Sequence, residues 1–221
     1  MLDYGAPFGF LFKDKRWLRK LLIASLLTCT LVGAAPVFGW TIEIVRRMAQ
    51  GEEPAIPEFK DWKTFWKLGG QFALVNAAWL LPLLLAVLMI YLPLFLLSHL
   101  PDEAVLATFA ATFCCVSLFL LIYSIAYIFF VPAMMALLAK TGSTGQAMNP
   151  VRLWREVRPR FTEYLIVFLI VGVALLNVML FAAPLTLFLL LPPMLVYAGL
   201  VTAHFAGQLA RMNESKNLQE E

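Results

Sequence analysis

The residues closest to a reactive pair are His204 and Gln208. They lie four apart, so on a helix they share one face that leads to Arg211. A histidine in an apolar stretch can carry a proton, hold a ligand or make an interhelical hydrogen bond. The last is its ordinary role, and His204 and Gln208 form the leading candidate intramembrane polar site. Asn76 and Asn177 join that set as amides within apolar runs, placed to bond one another across helices. Glu43 stands three and four residues before Arg46 and Arg47, the spacing of a snorkelling ion pair. His99 beside Asp102 and Glu103, with Ser98 adjacent, is the one acid–base cluster elsewhere and does not amount to a hydrolytic site. Gly142-Ser-Thr-Gly145 fails as a phosphate loop, because no Lys-Ser/Thr follows and no strand precedes it. It reads as a turn ahead of a helix that starts at Asn149-Pro150. Cys29, Cys114 and Cys115 sit in apolar stretches without His or Asp at ligand spacing, so they read as small packed hydrophobes. No catalytic, metal-binding or cofactor-binding site is expected.

The elements that must position these residues are set by composition. Of the 221 residues, 62% are hydrophobic and 14% charged, with a mean hydropathy of +0.82. A soluble domain carries about a quarter charged residues, and water could not cover this much apolar surface. The chain therefore reads as an all-α integral membrane helical bundle. The N-terminal residues lack a basic segment followed by a short apolar core and cleavage site, so no removable signal peptide is expected.

Apolar runs cover residues 21–45, 71–100, 105–139 and 164–210, and polar, basic segments cover 12–20, 46–70 and 140–160. Read as one helix, residues 21–45 would separate two basic clusters across the membrane, against the positive-inside rule. Read as a hairpin bent at Gly33–Pro36, with further bends at Pro101–Glu103 and Ala182–Pro184, the chain places all 17 Lys and Arg on one side. The expected architecture is a single transmembrane domain over residues 1–212. It has three helical hairpins, about 17–50, 70–139 and 162–210, giving five to six membrane segments, and a polar, frayed tail at 213–221. Both termini are then cytoplasmic, in a bacterial-type inner membrane. The first run has about 25 apolar residues where two crossings need roughly 40, so that hairpin either recruits its flanks or is re-entrant.

Each hairpin is preceded by a basic, aromatic stretch: Phe12-Lys-Asp14 with Trp17, Phe59-Lys-Asp-Trp62, and Val151-Arg-Leu-Trp154. Such stretches suit short interfacial amphipathic helices, with rings at headgroup level and cations toward anionic lipids. The membrane-surface cations are Lys13, Arg16, Arg19, Arg46, Arg47, Arg152, Arg155 and Arg158. Close helix packing is expected along Gly199, Ala203 and Gly207, along Ala198, Thr202, Ala206 and Ala210, and along Ala107, Ala111 and Cys115. Pro82, Pro93, Pro132, Pro192 and Pro193 lie within apolar runs and could break them, as in transporters with discontinuous helices.

Phe12-Lys-Asp with Trp17, Gly39, Arg46-Arg47, Gly51-Glu52, Pro57, Asp61-Trp62, Phe65 and Gly69 together resemble a prokaryotic multi-pass membrane family known as domain of unknown function 4013. Tyr197, Ala203-His204 and Gly207-Gln208 fit the same pattern near the C-terminus. The resemblance implies a helical multi-pass membrane protein and carries no activity. It adds weight to His204 and Gln208.

The expected function is non-enzymatic: a scaffold, assembly factor or accessory subunit of a membrane complex. A small-solute or lipid transporter is the alternative. Expected partners are the bilayer, its anionic lipids, and other membrane subunits or further copies of the chain; no nucleic acid is expected.

Overall fold

The computed structural model describes residues 2–30, 32–52, 57–58, 61–96, 102–177, 179–180, 184 and 190–220. Among them every regular element is helical: α1 (Ala6–Gly9), a 3-10 turn (Phe10–Lys13), α2 (Trp17–Thr28), α3 (Ala34–Ala49), α4 (Trp62–Leu96), α5 (Asp102–Thr141), α6 (Thr144–Met148), α7 (Pro150–Val157), a second 3-10 turn (Arg158–Arg160), α8 (Phe161–Asn177) and α9 (Leu191–Glu220). Among the described residues, three stretches are long and apolar enough to cross a membrane: Trp62–Leu92, Val105–Thr141 and Pro150–Asn177. The chain divides into two compact units, residues 1–75 with 130–221, and residues 76–129.

In the first unit α3 lies at the centre. Eleven of its 16 residues are buried, among them Trp40, Ile42 and Val45 with no exposed surface. A helix buried all round must be approached closely, and glycine allows that. A Cβ on Gly39 would stand 1.8 Å from the Phe65 carbonyl oxygen, and one on Gly69 would stand 1.7 Å from that of Ala35. These two glycines let α3 and the start of α4 cross backbone to backbone. Phe38 and Phe72 close the crossing edge to face at 5.7 Å, and the Trp40 indole donates to the Pro57 carbonyl at 2.9 Å. On another side α9 packs along α3, with Gly207 against Met48. Ala49, Ala136 and Ala210 form one buried cluster from α3, α5 and α9.

The bend expected at Gly33–Pro36 falls slightly earlier, between Thr28 and Ala34. Thr30 Oγ1 accepts the Gly33 N–H at 3.0 Å, and a side chain on Gly33 would collide with the Leu27 carbonyl. Pro36 sits in the first turn of α3, where its missing N–H has no helical partner to lose. The helices flanking this bend have 12 and 16 residues, about 18 and 24 Å. Both are shorter than the roughly 30 Å hydrocarbon core.

Several expectations are corrected. The aromatic stretch at Trp62 is the first turns of α4 rather than a separate short helix, whereas that at Trp154 lies in the short helix α7. The polar residues 213–220 lie within the bounds of α9. Pro82 and Pro132 are carried inside continuous helices, and Pro192 and Pro193 begin α9, so none of these four divides a helix. Ser98, His99, Pro101, Ala182 and Ala183 lie outside the described residues.

In the second unit, parts of α4 and α5 meet through Tyr127, whose hydroxyl donates to Asn76 Oδ1, and Tyr123, which donates to the Trp79 carbonyl at 2.8 Å. Pro82, Leu85, Ala86 and Met89 face Cys115, Val116 and Phe119 across a shallow apolar cleft. The exposed large side chains of this unit include Leu84, Leu88, Phe113, Leu118, Leu121 and Ile122. The Ala107, Ala111 and Cys115 row is exposed, not a packing seam. Cys114 and Cys115 are likewise exposed rather than packed, because α5 is apolar all round here and small residues need not turn inward; Cys29, at the end of α2, is exposed too.

Candidate functional site

The first polar site joins the N-terminal segment to α9. Leu2, Phe10 and Leu11 are buried, so residues 2–13 are anchored to the first unit by apolar contacts. Asp3 precedes α1, and its Oδ1 accepts the N–H groups of Gly5 and Ala6 at 2.9 and 3.0 Å. Those two N–H groups hold its carboxyl below the usual carboxylate range. The Asp3 backbone meets Gln208 in both directions. Asp3 N–H donates to Gln208 Oε1 at 2.9 Å, and Gln208 Nε2 donates to the Asp3 carbonyl at 3.1 Å. Gln208 thus imitates a neighbouring peptide group.

This arrangement sets the state of His204. The second Gln208 Nε2 hydrogen points at His204 Nδ1, 3.1 Å away. Nδ1 therefore accepts, and a neutral ring carries its proton on Nε2. His204 is 2% exposed, its ring lies 4.8 Å from that of Phe10, and Nε2 has no hydrogen-bond partner. Tyr197, two turns earlier, donates to the Phe8 carbonyl at 3.0 Å. The α9 residues Tyr197, His204 and Gln208 therefore all hold the N-terminal segment. His204 and Gln208 do form one site, and its neighbours are this chain's own residues 3–10.

Replacing Gln208 by Leu removes both bonds to Asp3 while keeping the bulk. Net loss of two such bonds is worth about 1–3 kcal/mol. Hydrogen exchange on the full-length protein is expected to speed up in residues 2–12 and to stay unchanged in α3. Unchanged exchange over 2–12 would mean that Leu2, Phe10 and Leu11 suffice to hold the segment.

Asn76 accepts from Tyr127, and Asn177 Nδ2 donates to the Val173 carbonyl of its own helix at 2.8 Å. Glu43 does bond Arg46 and Arg47, at 3.0 and 2.9 Å, with its side chain only 5% exposed. Of the expected packing row, Ala203 is fully buried and Gly207 is tight, but Gly199 has open space where a Cβ would go. Lys13, Arg16, Arg19, Arg152, Arg155 and Arg158 are exposed, while Arg46 and Arg47 are half-buried. At the foot of α2, Asp14 bonds Lys20, which keeps the Asp14 carboxyl below its ordinary range.

A second polar cluster escaped the sequence reading. Glu156 of α7 accepts Lys140 Nζ of α5 at 2.8 Å and Asn213 Nδ2 of α9 at 3.0 Å. Arg160 donates to the Met212 carbonyl at 3.0 Å and stands 3.6 Å from Glu163. Tyr164 is fully buried nearby with an unpartnered hydroxyl. The partners are 16 and 57 residues from Glu156 in sequence, so no spacing rule reveals them.

Between α8 and α9 lies an apolar cavity of about 220 Å³, lined by Ile170, Val171, Ala174, Met194, Tyr197 and, from the N-terminal segment, Phe8. An apolar space of this size accepts a small apolar group.

Comparison with known proteins adds a family and no activity. Neither the curated proteins nor the solved structures contain a match. The model of the family described as "Protein of unknown function (DUF4013)" matches residues 22–206, most of the helical chain, and the chain belongs to that family.

Proposed function

We propose that this protein is a non-enzymatic component of the bacterial inner membrane, acting as a scaffold, assembly factor or accessory subunit of a larger complex. One observation carries the reading. Most of the polar groups within the described helices are engaged inside the chain, while the described helical parts of residues 76–129 expose mainly apolar side chains. Gln208, Tyr197, Asn76, Asn177 and Glu43 each have an internal partner. Exposed Leu, Phe and Ile dominate the two helices of the second unit. Helices of this kind have only close packing against other helices, or lipid, to cover them. The proposed topology is three hairpins with five to six membrane segments, the first re-entrant if its short helices do not cross, and both termini cytoplasmic.

The test is to extract the protein from native membranes in a lipid-retaining polymer and weigh the particle by native mass spectrometry. A stoichiometric partner protein, or a defined homo-oligomer, is expected. A partnerless monomer would overturn the proposal.

The cavity behind Phe8 favours a second reading, transport of a lipid or small apolar solute. A lone chain carrying a specific apolar molecule would select it, and Phe8→Ala would then alter that molecule's retention.

A further inference from the structure

The observations that reach furthest concern α7. At about 100° per residue, the order around this helix is Leu153 and Val157, then Trp154 and Val151, then Arg155 and Arg152, then Glu156. Leu153 and Val157 are fully buried in the first unit. Glu156 faces the same unit from the other side, through Lys140 and Asn213. Asn149 caps the helix by accepting the N–H groups of Val151 and Arg152, at 2.9 and 3.3 Å. The helix is therefore fixed in rotation by apolar contacts and by charge.

What remains is an outward face of two stripes. One is apolar: Val151 is 65% exposed and Trp154 48%. Trp154 also meets Phe161 edge to face at 6.1 Å, and Phe161 begins α8, within the Pro150–Asn177 stretch able to cross a membrane. The other stripe is Arg152 and Arg155, continued by Arg158 in the following turn. All three are exposed, and none has a carboxylate partner among the described residues. An apolar ridge running into a membrane span, bordered by unpaired guanidinium groups, has two needs. The ridge needs acyl chains, and the guanidiniums need anionic oxygens, which phosphate supplies in bidentate geometry.

We propose that α7 is a docking surface for anionic phospholipid, with Trp154 and Val151 at the acyl boundary and Arg152, Arg155 and Arg158 on headgroup phosphates. The proposal rests on the chain being a membrane protein and is independent of whether it has a protein partner. An acidic protein segment would satisfy the arginines but would not explain an apolar stripe continuous with the start of a span.

The test uses the full-length protein in nanodiscs of phosphatidylcholine alone, or with a third of it replaced by phosphatidylglycerol. Hydrogen exchange over residues 150–160 is read at low salt. Each surface arginine is worth about fivefold in attraction to an anionic leaflet, and about tenfold slower exchange is expected with phosphatidylglycerol. Raising the salt should remove most of that difference in the wild type. Arg152→Gln, Arg155→Gln and Arg158→Gln together should abolish it while exchange in the neutral discs stays the same. Inorganic phosphate added to neutral discs should not reproduce the protection.

Equal exchange in the two lipids would overturn the proposal. So would protection that survives high salt, or full protection by free phosphate. Protection present in native membrane particles and in neither disc would assign the surface to a protein instead.

Discussion

Gly39→Ala and Gly69→Ala are each expected to unfold the first unit at much lower temperature, whereas Gly199→Ala leaves stability unchanged. The added methyl at Gly39 would stand 1.8 Å from the Phe65 carbonyl oxygen, and that at Gly69 would stand 1.7 Å from the Ala35 carbonyl oxygen and 2.8 Å from Gly39 N. These obstacles are backbone atoms, so no rotamer change relieves the clash, and the helices must move apart. Overpacking costs about 1–3 kcal/mol where side chains can adjust, and a rigid crossing belongs at or above the top of that range. Separating α3 from α4 would also disturb the Phe38–Phe72 contact and the Trp40–Pro57 hydrogen bond. The measurement is thermal unfolding of the three variants in one lipid or detergent, followed by tryptophan fluorescence. A normal melting point for Gly39→Ala would show that the crossing relaxes readily. A loss for Gly199→Ala equal to that for Gly69→Ala would mean that the whole α9 glycine row is tight.

The second large effect belongs to Glu156. Its side chain is 14% exposed and that of Lys140 is 16%, so the pair has little water to fall back on. Glu156→Ala leaves a nearly buried ammonium without its carboxylate, and removes the acceptor of an Asn213 hydrogen bond. Breaking one side of a buried pair costs about 3–5 kcal/mol. Lys140→Ala combined with Glu156→Ala should recover part of that loss, since the double variant buries no uncompensated charge. Glu156→Gln should fall between them, keeping an acceptor for Asn213. Chemical denaturation of the wild type, Lys140→Ala, Glu156→Ala and the double variant gives the coupling directly. Additive losses would place Lys140 and Glu156 in water rather than against one another. Since α7 is held partly by this residue, Glu156→Ala should also loosen residues 150–160 in neutral lipid. Removing the arginine charges leaves that baseline intact.

Much of the architecture was legible because lipid as solvent makes simple demands. Apolar runs of sufficient length must be helices, as unpaired backbone groups are too costly in hydrocarbon. That located α4, α5 and α8. Local chemistry located Asn149 as a cap and the break near Gly33. Periodicity was a poorer guide in the second unit. Ala107, Ala111 and Cys115 had the spacing of a seam, but a helix apolar all round has no inward face for periodicity to mark.

The sequence alone determined the membrane character, the helical class, the three candidate spans in α4, α5 and α8, and Glu43 as a partner of Arg46 and Arg47. These follow from composition or from neighbours within one helical turn. Only the tertiary structure decided that Gln208 holds Asp3, that Glu156 joins Lys140 to Asn213, and that Gly39 and Gly69 are tight where Gly199 is open. Each of those depends on which helix lies against which. Many helical arrangements bury similar apolar area, and the choice rests on short-range fits between backbones and polar atoms distant in the chain, which residue spacing does not encode.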